Sequence, residues 1–143
     1  MKKNHKEMRK LRLMMLFALV AVLMIGCEKE NTKPRNGSSS TTYTVNVSGI
    51  QIPSGMALEI LAVEYSASND RLQVNRFNMT SSSMTKKYTA NSRTEKVKIA
   101  FNASNPSTGQ TASRWVQQVF YLDKGTNTNI SITGSSPTGT TEP

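Results

Sequence analysis

Cysteine and histidine are almost missing from this chain, which has one of each, Cys27 and His5, in 143 residues. No internal disulfide is therefore available, and no set of thiolates and imidazoles exists to build a zinc site. His5 lies in a basic N-terminal stretch with the character of a removable signal. Without it the chain has no imidazole for general-base work and no Ser–His or Cys–His pair. Carboxylates are also few, nine in all. Glu59 and Glu64 are five apart on one predicted strand, so they point to opposite faces and cannot share a proton. Asp70 and Asp123 fall in predicted turns, where an aspartate ordinarily bonds its own backbone. No Asp-x-Asp-x-Asp run suggests calcium. Ser83-Met84-Thr85-Lys86 has the Ser-x-x-Lys spacing of some acyl-transfer enzymes, but it sits on a predicted strand edge with no partner motif. The expectation is a protein that is not an enzyme and takes no metal or cofactor.

Charge is thin once its distribution is considered. The formal net charge is +9, with 18 basic and nine acidic side chains. Six of the basic residues (Lys2, Lys3, Lys6, Arg9, Lys10, Arg12) and Glu7 lie within residues 1–26. Taking six from 18 and one from nine leaves about +4 on the rest, without a block of one sign. Nucleic-acid binding calls for a clustered basic stripe with stacking aromatics, and Lys86-Lys87 or Lys96 and Lys98 do not make one. No nucleic-acid partner is expected.

What is present is an address. After the basic start come fourteen residues, 13–26, that are apolar or small, followed by Cys27. That is the layout of a secretory signal, and the run is too short for the roughly 20 helical residues that span a bilayer. Leu23-Met24-Ile25-Gly26-Cys27 resembles the bacterial lipobox. The resemblance implies a diacylglyceryl group on the Cys27 thiol, cleavage between Gly26 and Cys27, and further acylation by a chain such as palmitate. Each buried acyl CH₂ contributes about 0.8 kcal/mol, so two or more chains hold a protein durably at a membrane. Glu28-Lys29-Glu30 resembles the export signal of Bacteroidota surface lipoproteins. An outer-membrane, surface-exposed lipoprotein is the implied address.

Removal of 26 residues leaves 117, enough for one domain. Residues 28–42 hold nothing apolar to bury and read as a flexible linker after the lipidated Cys27. From Tyr43 onward the apolar residues recur with period two. Tyr43, Val45 and Val47 alternate with polar residues, and Val97, Ile99 and Phe101 read as inward with Lys96 and Lys98 outward. Residues 56–65 are apolar on both parities, for which strand is preferred to helix. In residues 71–80, Leu72 and Val74 share one parity and Phe77 and Met79 the other, which predicts a bulge near Asn75-Arg76. Residues 84–90, with Lys86-Lys87, read as an edge strand. Residues 114–123 and 127–133 read as a hairpin turned at Asp123-Lys124-Gly125-Thr126, with Gly125 supplying positive φ. The polar segment 135–143 is expected to be disordered. Seven strands in residues 43–134 predict an all-β, seven-stranded antiparallel β-sandwich. The final hairpin is similar to that of small Bacteroidota lipoproteins of unknown function, which implies an immunoglobulin-like or transthyretin-like sandwich.

The candidate binding residues are Arg114, Trp115 and Tyr121. Trp115, Val119 and Tyr121 share one parity of their strand, and Val116, Phe120 and Leu122 share the other, so both faces carry large apolar groups. Either a bulge at Gln117-Gln118 or overlying loops bury both sets, or Trp115 and Tyr121 form an open contact platform with Arg114 as its charged rim. The function expected is a non-catalytic accessory module, attached to the membrane by its lipid, that contacts a glycan or an envelope protein. The alternative is a pilus-like subunit assembled by strand exchange.

Overall fold

The computed structural model describes residues 39–143. The expected signal segment, the Gly26/Cys27 cleavage and lipidation site and most of the linker lie outside the described residues. Eight strands follow in order: β1 (Thr42–Ser48), β2 (Ala57–Tyr65), β3 (Arg71–Asn78), β4 (Met84–Thr89), β5 (Lys96–Ser104), β6 (Thr111–Tyr121), β7 (Asn127–Thr133) and the two-residue β8 (Thr138–Gly139). They form a three-stranded sheet, β4-β1-β7, and a five-stranded sheet, β3-β2-β5-β6-β8. The fold is an all-β sandwich, and no helix occurs among the described residues.

Alternation dictates the packing. Tyr43, Val45 and Val47 of β1 and Ile130 and Ile132 of β7 are buried, and they meet Ile60, Ala62, Phe77, Val97, Ile99 and Val116 of the other sheet. Each large apolar side chain so enclosed contributes about 1.5–3 kcal/mol, which replaces the disulfides the chain cannot form. Tyr88 of the edge strand β4 leans on this core, its ring centre 5.5 Å from that of Tyr43 and 6.4 Å from that of Phe77. Lys86 and Lys87 are exposed along the same edge, where they discourage pairing with another chain.

Four expectations need correction. First, the sandwich is not wholly antiparallel: β1 pairs antiparallel with β4 but parallel with β7, Val45 opposite Ile130. This order also differs from the immunoglobulin arrangement, in which the first strand neighbours the second. Second, β6 and β7 are not a hairpin. The 123–126 turn, with Gly125 at φ 72°, carries the chain from one sheet to the other. Third, the register of β3 runs unbroken through Asn75 and Arg76, and the irregularity falls at Leu72, left over where Glu64 pairs with Gln73 and Tyr65 with Arg71. Fourth, residues 135–143 are not frayed. β8 pairs with β6, Trp115 opposite Gly139, and the amide of Gln117 donates to the carbonyl of Pro137. At the other boundary the linker ends earlier than expected: the amide of Ala90 donates to the Thr41 carbonyl, and that of Gly125 to the Thr41 hydroxyl.

Candidate functional site

Part of the inner face of β2, β5 and β6 looks across an open groove toward the 49–53 connection and Thr133, Gly134, Ser136 and Thr138. Register places Ile60, Phe101 and Arg114 in one inward row, and Leu58, Ala103 and Ala112 in the next. The 49–53 connection supplies the facing wall with Ile50, Ile52 and Pro53. Between them lies a groove of about 420 Å³. Its surface is mainly aliphatic, with Phe101 as the aromatic floor and Arg114 as the charged group. Arg114 is exposed and makes no ion pair among the described residues, in which Arg76 pairs with Glu59, Lys98 with Glu142 and Lys124 with Glu95. A groove of this size, apolar with one convergent charge, has the makeup of a binding site.

The three residues singled out by sequence are therefore not one site. Arg114 points into the groove, whereas Trp115 and Tyr121 point outward from the same strand, because neighbours on a strand face opposite ways. Arg114 is not a rim to an aromatic platform. A bulge lies where one of the alternatives placed it, since between the pairs Lys98–Val119 and Ala100–Trp115 residues 116–118 face the single residue Ile99, but it does not bury both sets, as Tyr121 is exposed. With two extra residues on β6 the phase is unchanged, so Val116, Phe120 and Leu122 face inward and Trp115, Val119 and Tyr121 face out, as their parity requires. Trp115 is half-buried beside Gly139 of β8, and Tyr121 is 70 % exposed. The two rings are separated by the Lys98–Val119 row, so no continuous platform forms.

That outer face has a feature that hydropathy alone did not disclose. Segment 134–143 turns back across it, and Glu142 accepts a hydrogen bond from Lys98 Nζ at 2.9 Å. The same ammonium lies 4.7 Å from the centre of the Tyr65 ring, within cation–π range. Burial, together with a hydrogen bond to Glu142 and its negative charge, pushes the Tyr65 phenol up to about 12. Partial burial alone would raise Glu142, but the Tyr65 hydroxyl and the Lys98 ammonium outweigh it and hold the carboxyl below its ordinary value. Gln117 Nε2 adds a bond to the carbonyl of Thr141 at 3.0 Å. Neither Tyr65 nor Glu142 stood out in sequence. The one signal for Tyr65 was parity, since Tyr65 and Lys98 face outward on adjacent strands, and Glu142 had none.

The buried polar centre is structural. Glu64 is fully buried and accepts four bonds: from Tyr43 Oη at 3.0 Å, Asn75 Nδ2 at 2.9 Å, the Asn91 amide at 2.8 Å and Thr94 Oγ1 at 2.6 Å. It ties β1, β2, β3 and the 91–94 turn together, and burial drives the Tyr43 phenol well above its ordinary range. Glu59 projects to the other face and pairs with Arg76 at 3.1 Å, as the five-residue spacing requires. Asp70 accepts from the Ser68 hydroxyl within its own turn, at 2.7 Å. Among the described residues, no three His, Cys, Asp or Glu side chains come together in a way that would hold a metal ion. No protein-family model, curated protein or solved structure matches the chain.

Proposed function

We propose that this chain is an outer-membrane lipoprotein, anchored by acyl chains on Cys27, whose sandwich binds another envelope protein and catalyses nothing. The observation that carries the binding reading is Arg114, an exposed guanidinium without a carboxylate partner among the described residues, set in an apolar groove. Charge complementarity defines the occupant: a partner segment with aliphatic side chains for Leu58, Phe101 and Ile52, and one acidic residue for Arg114. A bidentate guanidinium–carboxylate pair fixes orientation as well as contributing affinity. The sequence pattern at Gly26-Cys27 supports the anchor.

Two experiments test this. Mass spectrometry of the protein from its own cells should find Cys27 as an acylated N-terminus, and a Cys27→Ser variant should leave the detergent phase for the aqueous one. An unmodified, uncut Cys27 refutes the anchor. A photo-crosslinking residue at position 112 should give one discrete adduct in cells, which Arg114→Glu removes while a crosslinker at Asn129 on β7 gives none. Equal adducts from both positions refute the groove.

A second reading, a pilus-like subunit, is favoured by the seating of β1. This strand lies between β4 and β7, so its withdrawal opens a slot that a strand from another copy would fill. Concentration-dependent polymer on removal of residues 43–48 supports this reading, and a monomer that merely unfolds counts against it.

A further inference from the structure

We propose that the outer face of the five-stranded sheet binds an acidic polysaccharide, with Tyr121 stacking on a sugar ring and Lys96, Lys98 and Arg71 receiving sugar carboxylates in the place that Glu142 holds in this structure. The site is separate from the Arg114 groove and does not depend on it.

The register sets the arrangement. Arg71 pairs with Tyr65, Tyr65 with Lys96 and Lys96 with Tyr121, so one row crosses β3, β2, β5 and β6 as cation, aromatic, cation, aromatic. Adjacent members are about 4.8 Å apart, the spacing of paired strands. Tyr65 and Lys98 are buried in this structure, 7 % and 9 % exposed, so a sugar chain laid across the strands meets Arg71, Lys96 and Tyr121 first and reaches Tyr65 and Lys98 only as Glu142 gives way. Lys98, one row along, reaches back over the Tyr65 ring and adds a third cation.

The face already holds a carboxylate. Glu142 accepts from Lys98 Nζ at 2.9 Å, and the neighbouring Tyr65 hydroxyl, Lys98 and Arg71 hold its carboxyl below its ordinary value. The donors are thus aimed for an oxyanion, and Glu142 stands in for the acid group of a ligand. Its segment is lightly held. Two register pairs of β8, the bond to Pro137 and the Gln117–Thr141 bond fasten it, so a ligand with several carboxylates competes well with a single one. Tyr121 is the one large hydrophobic side chain strongly exposed among the described residues. Lys96 is steadied by a hydrogen bond to Asn69 Oδ1.

Sugar fits better than acidic peptide. An extended peptide gains affinity by pairing its backbone with a free strand edge. β2 and β5 are paired on both sides, so this face offers side chains only. An aromatic ring with a polar tip, flanked by cations, suits a sugar face that is apolar above and charged at its rim.

The test uses the full chain in detergent, with polygalacturonate oligomers as ligand, neutral galactan as the uncharged control and poly-glutamate as the peptide control. Polygalacturonate should bind, more weakly as salt rises, and neutral galactan should not. Tyr121→Ala should weaken binding by roughly three- to tenfold, and Tyr121→Phe should retain it. Glu142→Gln should tighten it severalfold by freeing Lys98, and Arg114→Ala should leave it unchanged. The proposal is overturned if Glu142→Gln does not bind polygalacturonate, if Tyr121→Ala binds like the parent, if poly-glutamate binds as well as the sugar acid, or if Arg114→Ala abolishes binding.

Discussion

Replacement of Glu64 by glutamine tests whether one buried carboxylate organises four separate parts of the chain. Glutamine keeps the shape but places an NH₂ group where one oxygen stood. Turned toward Asn91, that group meets a backbone amide that can only donate, now 2.8 Å away. Turned the other way it meets Tyr43, whose hydroxyl can rotate to accept, and Asn75 Nδ2 at 2.9 Å, which cannot. Either orientation strands at least one buried donor, at about 1–3 kcal/mol. The surviving bonds lose the strength that a charged acceptor gives, while the relief of no longer burying a charge offsets part of the loss. The expected net cost is about 2–3 kcal/mol, against about 5–15 kcal/mol for a domain of this size. Glu64→Ala, which also leaves a void, should cost about 3–5 kcal/mol. Urea unfolding followed by the fluorescence of Trp115 should show a lower midpoint at unchanged slope. A cycle with Thr94→Val should show coupling of at least about 0.5 kcal/mol, since the two groups meet at 2.6 Å. A Glu64→Gln protein within about 0.5 kcal/mol of the parent, the range of a neutral surface change, refutes the reasoning.

Three further outcomes follow from particular contacts. A Cβ at Gly134 would lie 2.2 Å from the Gly49 carbonyl oxygen, backbone against backbone, so Gly134→Ala should cost about 1–3 kcal/mol by urea midpoint, and a neutral result contradicts that close approach. The fold raises Tyr65 from its ordinary 10 to about 12, so its contribution is complete below pH 10 and is lost as pH rises toward 12. Phenolate absorbance should show one tyrosine titrating late in that window, and Glu142→Gln should bring its midpoint down. Glu142 is shifted the other way, so its hold on Lys98 is present above the ordinary carboxylate range and is lost as pH falls through its lowered value. Hydrogen exchange at the Gln117 amide, which bonds to Pro137, should accelerate in that acid window in the parent but not show the same pH step in Glu142→Gln.

The strands were legible where one face is wet. Tyr43, Val45 and Val47 on β1 and Ile130 and Ile132 on β7 are buried at every second position, and the turn at Gly125 was marked by its residue type. Reading failed where polar residues face inward or apolar ones outward. Gln73 and Asn75 share the inward parity of Phe77 because Glu64 awaits a donor there, so β3 looked as though its faces had switched. β2 was apolar on both parities because Val63 and Tyr65 are buried on the outer face. Segment 134–143 carries no apolar pattern, and its attachment by Glu142, Gln117 and a short β8 is invisible to hydropathy. Of the site, parity foretold that Trp115 and Tyr121 share a face opposite Val116, Phe120 and Leu122, and the structure places that face outward. The groove at Arg114 required knowing that the 49–53 connection lies across from Phe101 and Arg114, which is a property of the tertiary arrangement and not of any single stretch.

The parallel seam between β1 and β7 has a consequence for how the molecule comes into being. Thr42 and Asn127, 85 positions apart in sequence, meet there, and every pairing along that seam is equally remote. A polypeptide delivered N-terminal end first, from a ribosome or through a pore, presents β1 at the outset and its parallel mate nearly at the close. Until then Tyr43, Val45 and Val47 have no second flank, and maturation waits on a slow, long-range closure. Throughout that wait a sticky ribbon is on offer to whatever escorts the newborn protein.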